Sequence, residues 1–240
     1  MARFTIVEAH LRKGKHVREH VRKIPNGKKG FISKEAAHDH QIKQLQIKAK
    51  ASGAEIDSIG KEFANKYNGV VTPINYKSFG SIKRKLINEE GGFIENIKDS
   101  VRNTVIIPPE QFNQLQEKLK KDKRFTRVKY QDPDKYNGYK GIITNIKTKN
   151  GINGEIQFNT AAMIYAKEPP KISKMLIGAK EFNRIYKISG KKGGLGHKMY
   201  EEIRKLNAKR RNHTITPNEL EKMKKLIKQQ KEYYKTFHEL

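Results

Sequence analysis

The 240-residue chain contains no cysteine, which excludes disulfides, thiolate zinc sites and a thiol nucleophile and suits a reducing compartment. It also has no long apolar run. Stretches such as residues 105–107 and 142–143 fall far short of the ~20 residues that span a bilayer, so neither a membrane helix nor a membrane partner is expected. The opening MARFTIVEAHLRKGK lacks the continuous apolar segment of a secretory signal. Acidic residues are scarce, with 25 Asp and Glu against 52 Lys and Arg and a formal charge of +27. Such a field excludes indifference to polyanions, because it concentrates nucleic acids and nucleotides around the molecule.

The charge is unevenly placed. Residues 1–53 carry a net +9 and residues 171–240 a net +12, whereas 54–170 carry only +6, the balance of an ordinary folded domain. This divides the chain into a basic N-terminal arm or linker (1–53), a core (54–170) and a basic helical C-terminal extension (171–240). The arm reads poorly as packed structure, apart from a short helix over 33–51 with Ser33 as its cap and Ile42, Leu45 and Ile47 along it. His38-Asp39-His40 lies on that helix, where alternate residues face different ways, so no metal is expected there.

In the core, Ile56, Ile59, Phe63 and Tyr67 mark an amphipathic helix. A β segment over 70–74 follows, limited to an edge by Pro73, and then a helix over 81–88. Residues 101–107 form the clearest buried strand, and 110–121 a helix with Phe112, Leu115 and Leu119 inward. Residues 124–130 alternate as a strand; 139–147 and 154–158 make an antiparallel hairpin across Lys149-Asn150-Gly151. A helix over 160–167 closes the unit at Pro169-Pro170. The extension holds helices over 197–211 and from a Thr216-Pro217-Asn218-Glu219 capping box to about 237. The fold class is α+β: a mixed sheet of about five strands flanked by helices, with a helical extension.

Four segments of the core combine polar groups able to do chemistry. In Lys77-Ser78-Phe79-Gly80-Ser81-Ile82-Lys83-Arg84-Lys85, Ser81 opens a helix whose free amides can hold phosphate oxygens, with Lys77 and Lys85 supplying charge. Asp99 stands just before the buried strand. Asn137-Gly138-Tyr139 brings an aromatic ring that can offer its face to a base. On the strand after the hairpin, Glu155, Gln157 and Asn159 share one face while Ile156 and Phe158 take the other. Two carboxylates for a metal, cations for a polyphosphate and an aromatic ring for a base are the parts that phosphoryl-type transfer requires.

These segments, in this order, resemble the synthetase domain of the RelA/SpoT family, and especially its small single-domain toxin relatives. The family pattern R-x-K-S-x-x-S-x-x-x-K, an Asp-containing strand, N-G-Y, and E-x-Q-x-R-T before a helix is met by Lys77, Ser78, Ser81 and Lys85, by Asp99, by Asn137-Gly138-Tyr139, and by Glu155, Gln157 and Thr160, with Met163 and Glu168 beyond. The resemblance implies a pyrophosphokinase that moves the β,γ-pyrophosphate of ATP onto a ribose hydroxyl. It implies Mg²⁺ at Asp99 and Glu155, with Glu155 taking the proton. ATP phosphates would lie on Lys77, Ser78, Ser81, Lys85 and Arg102, and the acceptor on Tyr139, Asn137 and Gln157. It further implies a growth-inhibiting toxin of the bacterial cytoplasm, acting on a tRNA end or a purine nucleotide and neutralised by an antitoxin or immunity protein. The chain departs from the pattern at Asn75 and Asn159, where the family has Arg, and at Thr104 and Ile143, where it often has Arg and His. The other reading is a non-catalytic basic RNA-binding module on a degenerate core of this kind.

Overall fold

The computed structural model describes residues 2–8, 10–12, 15–25, 30, 33–134 and 137–240. Four short strands come first: β1 (Arg3–Val7), β2 (His10–Arg12), β3 (Lys15–Val17) and β4 (His20–Ile24). β1 pairs antiparallel with β4, Phe4 opposite Lys23, and β2 pairs antiparallel with β3. The expectation of an N-terminal stretch without packed structure is therefore corrected. A two-stranded ribbon buries only part of one face, so it needs few apolar residues and leaves little pattern to read.

Helix α1 (Lys34–Ala51) starts where Ser33 predicts it, the Ser33 hydroxyl accepting from Ala36 N at 3.0 Å. It packs Ile42, Leu45 and Ala49 into the main core rather than standing in an arm. His38 on α1 is buried, and among the described residues no group of three or more His, Asp or Glu could hold a metal ion. Helix α2 (Gly53–Lys66) adds Ile56, Phe63 and Ala64 to the core. Phe63 meets Phe158 edge-on at 5.4 Å between ring centroids. Full burial of a phenylalanine ring of this kind contributes about 1.5–3 kcal/mol.

The β segment expected over 70–74 is split into β5 (Val70–Val71) and β6 (Asn75–Tyr76). Pro73 has no N–H to give to a ladder, and Thr72 instead ties the break to the sheet, its N donating to Thr104 O at 2.8 Å and its hydroxyl accepting from Thr104 N at 3.0 Å. Helix α3 (Phe79–Asn88) begins two residues before the expected start. Ser78, not Ser81, is its cap, accepting from Ser81 N at 3.3 Å. Strand β7 (Val101–Ile106), helix α4 (Phe112–Lys121) and strands β8 (Phe125–Gln131), β9 (Gly141–Lys147) and β10 (Asn153–Asn159) complete the central layer. The sheet has six strands: β5 and β6 both lie against β7, followed in order by β10, β9 and β8. β10 runs parallel to β7, with Glu155 opposite Arg102, and every other pairing is antiparallel.

Side chains alternate across this sheet. Val101, Val105, Ile142, Ile146, Ile156 and Phe158 turn to the layer of α1–α4 and make the main core. Arg102, Thr104, Glu155, Gln157 and Asn159 turn to the other face. Helix α5 (Ala161–Lys167), capped by Thr160, crosses beyond β10. Pro170, expected to close the unit, opens α6 (Pro170–Ile177) instead. Then come α7 (Ala179–Ser189), α8 (Leu195–Arg211) and α9 (Pro217–Lys235), the last with the predicted capping box from Thr216 and Glu219. A second core joins α5 to the extension through Met163, Tyr165, Ile185, Tyr233, Tyr234 and Phe237.

Candidate active site

Two groups of polar side chains meet over the N-terminal half of β7 and β10. The first centres on Asp99, in the loop that leads into β7. Lys77, held where its backbone N donates to Ser100 O at 3.0 Å, pairs through Nζ with Asp99 Oδ2. Lys85, two turns along α3, reaches Asp99 Oδ1 at 3.1 Å and Glu90 Oε1 at 3.7 Å. Burial alone would raise the Asp99 pKa, but the two ammonium groups outweigh it and hold the carboxyl below its ordinary value. Ser78 and Ser81 stand together at the mouth of α3, the Ser78 hydroxyl donating to Ser81 Oγ at 2.9 Å.

The second group lies on the face of β10 turned away from the main core. Glu155 is 8 % exposed, and its pKa is pushed up by burial first and by the charge of Asp99 next. Hydrogen bonding from Gln157 and the charges of Arg102 and Lys85 oppose that rise. Arg102 Nη1 lies 3.9 Å from Glu155 Oε1, and Gln157 Nε2 donates to the same oxygen at 2.7 Å. Glu155 thus sits within the electrostatic reach of Asp99 and Lys85, which joins the two groups. Their carboxyls are driven in opposite directions, one toward permanent charge and one toward the neutral form. That separation is what a site needs to keep one carboxylate as an oxygen ligand and use another to move a proton.

Tyr139 lies just before β9, and its hydroxyl donates to Asn159 Oδ1. Its ring meets Tyr234 of α9 edge-on at 5.5 Å, and Lys167 Nζ stands 5.6 Å from its centroid. Asn137, expected on the acceptor, has a local role in the structure: its Oδ1 accepts from Tyr139 N at 3.4 Å and shapes the turn. Short polar side chains two residues before a backbone N–H commonly form this turn. Asn159 Nδ2 is buried without a partner. Sequence reasoning missed Lys167. Its signal is its place seven residues past the Thr160 cap, two helical turns, which returns the side chain to the β10 face.

No family model matches the chain. The (p)ppApp synthetase toxin Tas1 of Pseudomonas aeruginosa (strain UCBPP-PA14) is 37% identical over 163 residues, 68% of this chain and 37% of that protein. A chain in the crystal structure of the complex between the Type VI effector Tas1 and its immunity protein superposes with a TM-score of 0.71 at 30% identity, covering 84% of this chain and 98% of that one. The chain belongs to the RelA/SpoT-like synthetase superfamily. Small alarmone synthetase 1 from Bacillus subtilis, at 14% identity and a TM-score of 0.44, aligns over 82% of this synthetase-like chain and 93% of its own. The chain spans 37% of the length of the curated relative it matches.

Proposed function

We propose that this protein is a toxin that transfers the β,γ-pyrophosphate of ATP to a ribose hydroxyl of an adenine nucleotide. The observation that carries the reading is the pairing of an ionised Asp99, flanked by Lys77 and Lys85, with a buried, proton-seeking Glu155 on the adjacent strand. The choice of adenine rests on the likeness to Tas1, named a (p)ppApp synthetase.

In the proposed reaction the acceptor hydroxyl gives its proton to Glu155 while its oxygen attacks the β-phosphorus of ATP. The bond from that phosphorus to the α,β-bridging oxygen breaks, and AMP leaves with that oxygen on its phosphate. Lys77, Lys85 and Arg102 neutralise the phosphate oxygens, and Ser78 and Ser81 meet them at the start of α3. Mg²⁺ is held in such sites by one or two carboxylates plus substrate phosphates. The donor set here fits that arrangement: Asp99 and Glu155 can offer one or two carboxylates, and among the described residues no group of three or more acids or histidines forms an all-protein cage. When bound, the ion would supply charge neutralisation to the transferred group. Gln157 and Tyr139 face the acceptor side. By the same likeness, a dedicated immunity protein belongs to the proposal, which also sets the toxin's action in the bacterial cytoplasm.

The test is incubation with γ-labelled ATP and, separately, AMP, ADP, GDP or tRNA. Label should pass to the adenine nucleotides with release of AMP, and Glu155→Gln should lower kcat by at least about 100-fold, the scale of a lost general base. Transfer to tRNA alone would move the acceptor to RNA. Transfer to no acceptor would leave the basic RNA-binding module as the reading.

A further inference from the structure

Lys167 stands at the end of α5 with 22 % of its side chain exposed. Its Nζ donates to Gln157 Oε1 at 3.2 Å and lies 3.3 Å from Glu168 Oε1. An ammonium group donates hydrogen bonds and never accepts them. Lys167 therefore decides which end of the Gln157 amide it meets. The oxygen faces Lys167, and the NH₂ is turned to Glu155, where it donates at 2.7 Å. With the amide turned over, its oxygen would oppose a carboxylate oxygen, two acceptors buried against each other.

This bond matters because Glu155 has few others. Among the described residues, Gln157 supplies the one hydrogen bond on the Glu155 carboxyl, since Arg102 at 3.9 Å is too distant for one. Gln157 and Glu155 are each 8 % exposed, so bulk water does not stand in freely. A donor that is itself bonded to a cation is polarised and strengthened. This face of β10 carries no cation of its own: its residues there are Asn153, Glu155, Gln157 and Asn159. Arg102 of β7 faces Glu155 without bonding to it, and the cation that bonds to Gln157 arrives from the following helix.

We propose that Lys167 is a positioning residue. Acting through Gln157, it holds the Glu155 carboxyl in the orientation that receives the acceptor's proton. The inference rests on the pyrophosphate-transfer reading for the role of Glu155, while the Lys167–Gln157–Glu155 relay stands on geometry.

Kinetics of AMP release would be compared for the wild type, Lys167→Met, Lys167→Arg, Gln157→Leu and the Met/Leu double variant. Lys167→Met should lose about tenfold in kcat with KM for ATP and for the acceptor within about twofold, and Lys167→Arg should recover most of the loss. The double variant should be no slower than Gln157→Leu, because both changes break one relay. A raised acceptor KM at unchanged kcat, or losses that multiply, would overturn the proposal by making Lys167 a substrate contact or an independent contributor. A readout apart from activity is the ¹⁵N side-chain signal of Gln157, assigned with Gln157→Leu. Its NH₂ protons should exchange with water faster in Lys167→Met than in the wild type. An unchanged signal would sink the relay itself. A changed signal in Lys167→Met, alongside a wild type that makes no AMP, would instead sink the pyrophosphate reading and leave the relay standing.

Discussion

Among single residues, Glu95 shows burial working against charge. Both of its carboxyl oxygens are buried without a partner, and Gln41 Oε1 nearby is buried and unpartnered as well. Burial pushes the Glu95 pKa up from 4.5 and the charge of Glu19 adds to it, outweighing the opposing pull of the Glu95 and Glu19 backbone N–H groups and the charge of Arg18. A carboxyl whose folded pKa is raised favours folding most while protonated, and that favour is lost as pH climbs from 4.5 through the folded value. Glu95→Gln should therefore raise Tm at neutral pH by about 2–4 °C, with the gain fading to nothing below that window. A scan of Tm against pH checks it; a variant less stable than the wild type at pH 7 would show that the charge has a partner. The same alternation that identified Glu155, Gln157 and Asn159 from sequence could not reveal Glu95. Period-two spacing tells which residues share a strand face, whereas burial of the Glu95 carboxyl, on the short 3-10 turn Ile94–Asn96, depends on the N-terminal ribbon lying beside it. Lys167 was hidden for a related reason, because its partner is set by where α5 leaves β10 and not by any residue beside it.

The extension packs against the turn that carries Tyr139 of the candidate site, which a reading by elements alone does not show. Gly138, φ +83°, lies under α9: a Cβ there would come within 2.7 Å of Lys231 Cα and 2.9 Å of its carbonyl oxygen. His238 Nε2 stands 2.8 Å from Gly138 O, Lys231 Nζ donates to Asp134 O at 3.0 Å, and Tyr234 supports the Tyr139 ring. Gly138→Ala should therefore both strain the backbone and push α9 away. A destabilisation of about 1–3 kcal/mol is expected, with a rise in acceptor KM, because Tyr139 loses its support. Denaturant melts and acceptor titrations measure the two; an unchanged KM would separate α9 from acceptor binding. In the sequence, the strands of the central sheet and the antiparallel hairpin were legible from alternation and turn residues, as was α9 from its capping box. The link between core and extension was not. Pro169-Pro170 reads as a stop, yet a proline at the first helical position starts a helix as readily as one past the end terminates it, and here it starts α6. The apolar faces of α5 and α9 looked like separate stripes because their partners are about 70 residues apart.

The charge of +27 acts on the molecule as a whole, and two consequences of it can be told apart by salt. A polynucleotide on the basic surface releases counterions for every phosphate neutralised, so its affinity should fall about 10³-fold or more between 50 and 200 mM salt if six or more phosphates are engaged. A nucleotide in the site meets a different field. Its phosphates would lie among Lys77, Lys85 and Arg102, whose side chains are 18 %, 19 % and 41 % exposed, and Asp99 and Glu155 already offset part of that charge. Partly buried groups at contact distance are screened far less than surface charges, so kcat/KM for an adenine nucleotide should change by less than about tenfold over the same range. Measuring RNA binding and nucleotide turnover on one preparation gives both slopes. Divergent slopes mean that the basic flanks serve attraction while the site on β7 and β10 serves a small acceptor. If turnover instead collapses in parallel with RNA binding, the acceptor is held by the same surface that holds RNA, and the nucleotide reading gives way to a polynucleotide one.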